Sequence, residues 1–232
     1  MNVLFIVPCY NAEKNIENLA LSLLSQTNSS WHCIIIDDMS EDNLYEKSEK
    51  FRKDKFSIIK NKEKKYALKN IVDSARMFQH LDDVIIAVVD GDDSLCNNNT
   101  VSILIDQYKK GSDVVWTAHK WDINGMNISK PLPEKVDPYS WGWCSSHLRT
   151  FKSSIIKSIP DKNFIDTSGN WFTRGYDQAL MLPVLKISKK RTYVPEVCYL
   201  YNIKSVSIKN RSWEERNQLS TINIVRSRGF LD

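Results

Sequence analysis

The stretch Val84-Ile85-Ile86-Ala87-Val88-Val89 runs directly into Asp90-Gly91-Asp92-Asp93. The apolar run is too short for a membrane span and predicts a strand buried on both faces of a mostly parallel sheet. Three carboxylates follow within the next few positions, and such a cluster repels itself unless a cation lies beside it. A divalent ion with oxygen ligands would suit them, and a solvated acidic turn is the alternative. Gly91 lacks a Cβ and would let a ligand approach the backbone closely.

Strands and helices alternate on both sides of this stretch. This alternation predicts a parallel, Rossmann-like sheet built by right-handed crossovers and flanked by helices. Asp37 and Asp38 end the second strand, and the carboxyl ends of parallel strands share one edge of a sheet, where ligands bind. The predicted strands are Val3 to Val7, Cys33 to Ile36, Ile58-Ile59 and Val84 to Val89, and the helices cover residues 16–24, 41–52, 67–81 and 100–110.

The alternation breaks after a further strand predicted from Asp113 to Ala118. Asn124-Gly125 predicts a hairpin and is followed by a loop that contains Pro131, Pro133 and Pro138. We expect a single domain over residues 1–232, with one half at 1–112 and a second, loop-rich half at 113–232. Helices are predicted at residues 152–158 and 176–187, the latter kinked at Pro183, and a capping box at residues 212–215 opens a terminal helix.

The composition disfavours several classes of protein. The chain has 232 residues, 42% of them hydrophobic, and a formal net charge of +4. Because the lysines are spread along the chain, we expect no nucleic-acid partner. No segment reaches the roughly 20 apolar residues of a membrane helix and no secretory leader is visible, which leaves peripheral membrane association open. The scattered cysteines predict reduced thiols and a cytoplasmic protein.

Several motifs occur together in this order, and with them the chain resembles the family 2 glycosyltransferases of the GT-A fold. They are Val7-Pro8-Cys9-Tyr10-Asn11, Leu23-Leu24-Ser25-Gln26-Thr27 with Trp31, Ile35-Ile36-Asp37-Asp38-Met39-Ser40-Glu41-Asp42 and Asp90-Gly91-Asp92-Asp93. The resemblance is strong over residues 1–110. It continues more weakly through Gly175-Tyr176-Asp177-Gln178 and Tyr199-Leu200-Tyr201-Asn202.

The resemblance implies a nucleotide-sugar site in the first half. Pro8, Tyr10 and Asn11 would wall the base, and Asp38 would accept a hydrogen bond from its imide; Asn11 could also cap the following helix. Lys69, in Ala67-Leu68-Lys69-Asn70, would approach the base or the diphosphate, unless it belongs to a solvated helix face. Asp90 would contact the ribose, and Gly91 would belong to the same nucleotide-sugar site. Asp92, with Asp93 nearby, would bind Mn²⁺ or Mg²⁺.

The resemblance also implies roles in the second half. Asp177 matches the family's general base, and its alternative role is that of an acid stabilised by a helix N-terminus. Trp141 and Trp143 could stack on an acceptor sugar, although aromatic residues at this density are more often core. His147 and Arg149 could contact the acceptor or diphosphate, and Arg149 could equally be structural. The chain departs from the family in having Tyr176 beside the base and Asn202 where a histidine commonly binds the metal.

These assignments predict an inverting glycosyltransferase that moves a sugar from a nucleotide-diphosphate donor, a UDP-sugar, to a hydroxyl group. The acceptor would be a glycan, a lipid-linked molecule or a protein. A diphosphate leaving group needs a Lewis acid, and a hydroxyl nucleophile needs a carboxylate to take its proton. A sugar nucleotidyltransferase is a rival, but its glycine-rich basic loop after the first strand is missing. The second rival is a degenerate family member that binds a sugar nucleotide without catalytic turnover.

Overall fold

The computed structural model describes residues 1–53, 55–203 and 211–232, without the side chains of residues 211–214. The described strands are β1 (Asn2–Cys9), β2 (Trp31–Asp37), β3 (Phe56–Lys60), β4 (Val84–Val88), β5 (Ser94–Leu95), β6 (Val114–Trp121), β7 (Arg149–Lys152) and β8 (Arg191–Tyr201). The α-helices are α1 (Ile16–Leu24), α2 (Leu44–Glu49), α3 (Tyr66–Met77), α4 (Thr100–Lys109), α5 (Tyr176–Ile187) and α6 (Arg211–Arg228). Two short 3₁₀ helices cover Ser153–Ser158 and Asp161–Asn163.

The described strands form one sheet in the order β3-β2-β1-β4-β7-β6-β8-β5. Strands β1 to β4 are parallel neighbours, as the alternating pattern predicts. Strand β7 pairs antiparallel with both β4 and β6, whereas β6 and β8 are parallel. The α/β fold with a mostly parallel first half is therefore confirmed.

Apolar residues cover both faces of the central strands. Along β1, Leu4 and Ile6 belong to a core cluster with α3 and α5, whereas Val3, Phe5 and Val7 belong to a second cluster with α1 and α4. Strand β4 divides its residues in the same way. Both strands are thus sandwiched between helix layers, which explains why their sequences are almost continuously apolar.

The pairing of β7 places a charged residue at the sheet edge where β4 ends. Arg149 lies opposite Val88 on one side and opposite Trp116 on the other. Asp90 lies two residues beyond Val88. This register therefore brings the buried Arg149 to the turn Asp90-Gly91-Asp92-Asp93, here called the acidic turn.

Two predictions for residues 113–232 need correction. The Asn124-Gly125 turn forms, but no strand follows it before Arg149, because the intervening prolines cannot donate to a ladder. The helix predicted at 152–158 is 3₁₀, and the residues just before it form β7. Helix α5 has the predicted bounds and contains Pro183 in its interior, and the kink there stays a prediction.

Two further expectations concern the terminal helix and membranes. Helix α6 is present, while residues 212–214 of the predicted capping box lie outside the described side chains. Among the residues that the structure describes, no helix has the length and apolarity needed to cross a bilayer.

A buried hydrogen-bond chain at the joint of the two halves yields a test. The Tyr108 and Thr150 hydroxyls lie 2.7 Å apart, and Thr150 donates to the Val115 carbonyl at 2.7 Å. Thr150→Val should lower the free energy of unfolding by about 1–3 kcal/mol, because it leaves buried polar groups unpaired. Tyr108→Phe should cost only about 0.5–1.5 kcal/mol, since Thr150 keeps its acceptor.

Urea unfolding of the two single variants and the double variant measures these effects. The double variant should be less destabilised than the sum of the singles, because the Tyr108 hydroxyl is no longer stranded. Strict additivity would show that the two hydroxyls are not coupled.

Candidate active site

A cavity of about 940 Å³ opens where β1 and β4 end. Six residues assigned to nucleotide binding from the sequence line it: Pro8, Tyr10, Asn11, Asp90, Gly91 and Asp92. The edge expected from the parallel topology is therefore the edge at which the structure has its cavity. Asp38, Lys69, Asp93 and Asp177 do not appear in its lining.

The turn after β1 is fastened to the turn after β2. The Asn11 amide donates to the Ser40 hydroxyl at 3.0 Å, and the Glu41 amide donates to the Asn11 side chain at 2.8 Å. Asn11 has φ 52°, a conformation that asparagine tolerates better than most residues. Its side chain does not cap α1, which begins at Ile16. The exchanged hydrogen bonds leave the Tyr10 ring 47% exposed at the cavity.

Asp90 is held by a buried cation. Arg149 donates to both Asp90 carboxylate oxygens at 3.2 Å, and the Tyr176 hydroxyl also donates to Asp90. Arg149 is 1% exposed, whereas the Asp90 side chain keeps 19% exposure toward the cavity. Arg149, for which the resemblance implies contact with the acceptor or diphosphate, therefore lies behind Asp90 and neutralises its carboxylate.

Asp93 points away from the cavity. Its two carboxylate oxygens accept from the Tyr199 hydroxyl and the Asn202 amide, each at 2.7 Å. Burial, with Asp90 and Asp92 nearby, raises the pKa of Asp93 to about 8. Both carboxylate oxygens of Asp93 are thus engaged by the protein, and the metal-binding role implied by the resemblance stays a prediction.

His147 lies beneath the same turn and not at a surface that an acceptor could reach. Its ring stacks between Tyr199 and Tyr201, with centroids at 4.6 and 5.0 Å. Burial, Arg149 and His119 lower the pKa of His147 well below its usual range. Possible ligand atoms of Asp90, Asp93 and His147 lie within 4.8 Å of one another. A dication there would lie next to the Arg149 guanidinium, so this buried cluster suits a metal less well than the cavity does.

Gly91 is required by the protein's own packing. A Cβ at this position would lie 2.4 Å from the Cys9 sulfur. The acidic turn therefore packs closely against Cys9 of β1 on its core side, whether or not a ligand lies on its cavity side.

Asp38 is committed to the loop that precedes α3. Its carboxylate accepts from the Asn61 side chain at 2.7 Å and from the amides of Lys65 and Tyr66 at 2.9 and 2.8 Å. Burial would raise its pKa, but these hydrogen bonds lower it. At 3% exposure, Asp38 shapes the loop and has little surface left for a base.

Lys69 is turned away from the cavity. Its ammonium pairs with Asp73 at 3.2 Å and lies 4.9 Å from the centroid of the Trp171 ring. Lys69 is therefore engaged by Asp73 and Trp171 and does not line the cavity.

The start of α5 brings second-half residues to the site. Gly175, with φ 62°, precedes Tyr176, which lines the cavity, and Asp177. A Cβ on Gly175 would meet the Gln218 carbonyl at 3.1 Å, so α6 packs directly against this point. Burial raises the pKa of Asp177, and Arg149 opposes that effect.

The loop that contains Trp141 and Trp143, here called the tryptophan loop, is anchored by α6. Arg226 donates to the carbonyls of Tyr139 and Trp141 at 2.8 and 2.7 Å and to the Gln178 side chain at 2.7 Å. Trp141 is 38% exposed, whereas Trp143 packs partly buried against the core. Of the two, only Trp141 offers much of its indole to a sugar.

The family model for glycosyl transferase family 2 matches residues 4–177, well over half of the 232 residues. This chain is a member of glycosyl transferase family 2. The match includes the turn after β1, the acidic turn and the start of α5. No curated protein matches the chain.

Solved structures share the fold of this family 2 chain at low sequence identity. S. aureus TarS 1-349 in complex with UDP has a TM-score of 0.69 at 20% identity, covering 96% of this chain and 66% of that one. TarS 1-349 with UDP-GlcNAc has a TM-score of 0.67 at 17% identity, covering 100% and 68%. Mannosyltransferase PcManGT from Pyrobaculum calidifontis, with GDP-Man and Mn²⁺, has a TM-score of 0.65 at 15% identity, covering 99% and 65%. The chain spans roughly two thirds of those proteins' lengths.

Several cavity residues of the family 2 chain were not assigned from the sequence. Lys14, Glu41, Arg174, Tyr176 and Tyr201 all contribute to the wall. Tyr176 and Tyr201 fall in quoted motifs, so their positions carried a signal, although their roles did not. Lys14 and Arg174 are ordinary surface residues in the sequence and become notable only through the tertiary structure.

The buried ion pair gives the second test. Arg149→Met should lower the free energy of unfolding by about 3–5 kcal/mol, because it leaves the Asp90 carboxylate without its cation. The matched control is Lys152→Met on the same strand, whose pair with Asp113 at 2.9 Å is partly exposed and should be worth at most about 1 kcal/mol.

Chemical denaturation of both variants measures the difference. Adding Asp90→Asn to Arg149→Met should recover part of the loss, because no unpaired charge remains. Equal losses of unfolding free energy in the two single variants would show that the buried Arg149 pair stabilises the protein no more than the partly exposed Lys152 pair.

Proposed function

We propose that this chain is an inverting glycosyltransferase that moves a sugar from a UDP-sugar to a hydroxyl acceptor by metal-assisted single displacement. The observation that carries the proposal is the shared cavity. Tyr10, Asp90 and Asp92 of the first half meet Tyr176 of the second half there, and Asp177 follows Tyr176 at the start of α5.

The first half, residues 1–112, would bind the donor. Tyr10 offers an exposed aromatic ring to the base, with Pro8 and Asn11 beside it in the cavity wall, and Gly91 leaves the backbone open to the ribose. Asp90 is oriented by Arg149 and Tyr176, so its remaining exposed edge can accept from a ribose hydroxyl without reorganising. UDP and UDP-GlcNAc in the TarS structures support a uridine donor, and GDP-Man in PcManGT makes a guanosine donor the rival.

A divalent cation, Mn²⁺ or Mg²⁺, fits the donor site. Asp92 lines the cavity and offers the hard oxygen ligand that such ions prefer. When bound, the ion would act as a Lewis acid on the charge of the departing diphosphate. The Mn²⁺ in the PcManGT structure supports this assignment.

The second half, residues 113–232, would supply the base and the acceptor surface. The acceptor oxygen bonds to the anomeric carbon as the bond to the diphosphate oxygen breaks, and the hydroxyl proton passes to the Asp177 carboxylate. Arg149 favours the ionised form of Asp177 against the effect of burial. The exposed Trp141 would stack on a sugar of a glycan, lipid-linked or protein acceptor.

A panel of nucleotide sugars tests the proposal against its rivals. UDP- and GDP-sugars are added with and without Mn²⁺, and thermal shift and slow donor hydrolysis are measured. Binding without any hydrolysis or transfer indicates a degenerate binder. Pyrophosphate release from a nucleoside triphosphate and a sugar phosphate indicates a nucleotidyltransferase.

The metal assignment predicts the behaviour of one variant. Asp92→Asn should abolish the gain in UDP affinity that Mn²⁺ gives, because the ligand loses its charge, and should leave the melting temperature near that of the wild type. Calorimetric titration of UDP with and without Mn²⁺ is the measurement. A variant that keeps the full metal-dependent gain removes Asp92 from the metal site.

The base assignment predicts a separate effect. Asp177→Asn keeps the shape of the side chain but cannot accept a proton, so transfer should fall by roughly 10²–10⁴-fold while UDP affinity hardly changes. Because burial raises the pKa of Asp177, wild-type transfer should decline as the pH falls through that raised value, where the base becomes protonated.

Transfer rates and melting temperatures of the same preparations separate catalysis from stability. If Asp177 only stabilises the start of α5, the variant would lose about 1 kcal/mol of unfolding free energy and melt at a lower temperature. Its transfer rate would be normal. That result would exclude Asp177 as the base.

A further inference from the structure

Lys64 lies against the ring of Tyr10, a residue that lines the cavity. Its ammonium nitrogen is 2.7 Å from the centroid of the Tyr10 ring and 5.9 Å from that of Tyr66. Both rings are almost half exposed, at 47% and 45%. The ammonium therefore covers one face of the Tyr10 ring, and a base that stacked on that face would have to displace it.

This ammonium lacks acceptors. Its nitrogen is buried and has no hydrogen-bond partner among the described residues. The nearest carboxylate in an ion pair with it is Asp38 at 3.9 Å, beyond hydrogen-bond distance. Asp38 already accepts from Asn61, Lys65 and Tyr66, so it has little capacity left. A buried cation with three unused donors is costly unless a ligand completes it.

Neighbouring lysines do not share this position. The Lys65 ammonium pairs with Asp73 at 3.3 Å, and Lys69 pairs with the same carboxylate. Of these three lysines, only Lys64 lies against the Tyr10 ring. Asp38 fixes that placement, because it binds the backbone amides of the two residues that follow Lys64.

We propose that Lys64 is the residue that selects the donor's base, an inference that rests on the proposed function. When a base stacks on Tyr10, the ammonium leaves the ring face and donates to a carbonyl oxygen on the edge of the base. Uracil and guanine carry such a carbonyl, and adenine carries none. Lys64 thus favours UDP over ADP, and Asp38 acts as a positioning residue that holds its loop.

The test compares UDP and ADP affinity by calorimetry in the wild type, Lys64→Met and the matched control Lys65→Met. Contacts to the diphosphate cancel in the ratio of the two affinities. Lys64→Met should reduce the preference for UDP by about tenfold to a hundredfold, the range for a hydrogen bond with a charged donor. Lys65→Met should keep the preference, and Lys64→Arg, which retains charge and donors, should keep most of it. Melting temperatures confirm that the variants are folded.

Three results would overturn the inference. Unchanged affinities for both UDP and ADP in Lys64→Met, or tighter UDP binding, would show that the ammonium only shields Tyr10. Equal weakening of UDP and ADP would assign Lys64 to the diphosphate. A preference lost in Lys69→Met and kept in Lys64→Met would return the role to Lys69. Wild-type protein that binds no nucleoside diphosphate would overturn the proposed function as well, which distinguishes that failure from the first three.

Discussion

The ion pair between Arg149 and Asp90 is the interaction on which the site depends. Three aspartates follow a fully buried strand, and their mutual repulsion opposes a compact turn. Arg149 reaches this turn because β7 pairs with both β4 and β6, so the joint between the parallel and mixed parts of the sheet also supplies the neutralising charge. The same side chain faces Tyr176 at 5.4 Å and thereby links the donor side to the start of α5.

The parallel part of the fold and half of the cavity could be predicted from the sequence, because both depend on local patterns. A strand covered on both faces must be continuously apolar, and β1 and β4 show this directly. Strand ends in a parallel sheet meet at one edge, so the turns that contain Tyr10 and Asp92 could be brought together without knowledge of any side-chain contact.

The remainder depends on pairings between distant segments. Nothing near Arg149 indicates that it belongs to a strand or that Asp90 is its partner. Asp93 looks equivalent to Asp92 in the sequence, yet hydrogen bonds from Tyr199 and Asn202 hold it inward. Lys64 and Lys69 are equally plausible cations until the hydrogen bonds of Asp38 fix one loop and the pair with Asp73 fixes the other side chain. Motif matching identifies positions, whereas orientation requires the tertiary structure.

The way in which Arg226 holds the tryptophan loop has a consequence for how such a protein can diversify. The Arg226 guanidinium binds the main-chain carbonyls of residues 139 and 141 in that loop. These hydrogen bonds do not depend on which side chains the two residues carry. Substitution at position 141 can therefore change the exposed surface of this loop while its distance from α5 is preserved. Under the proposed function, recognition of new acceptors would then be uncoupled from the position of the proposed base.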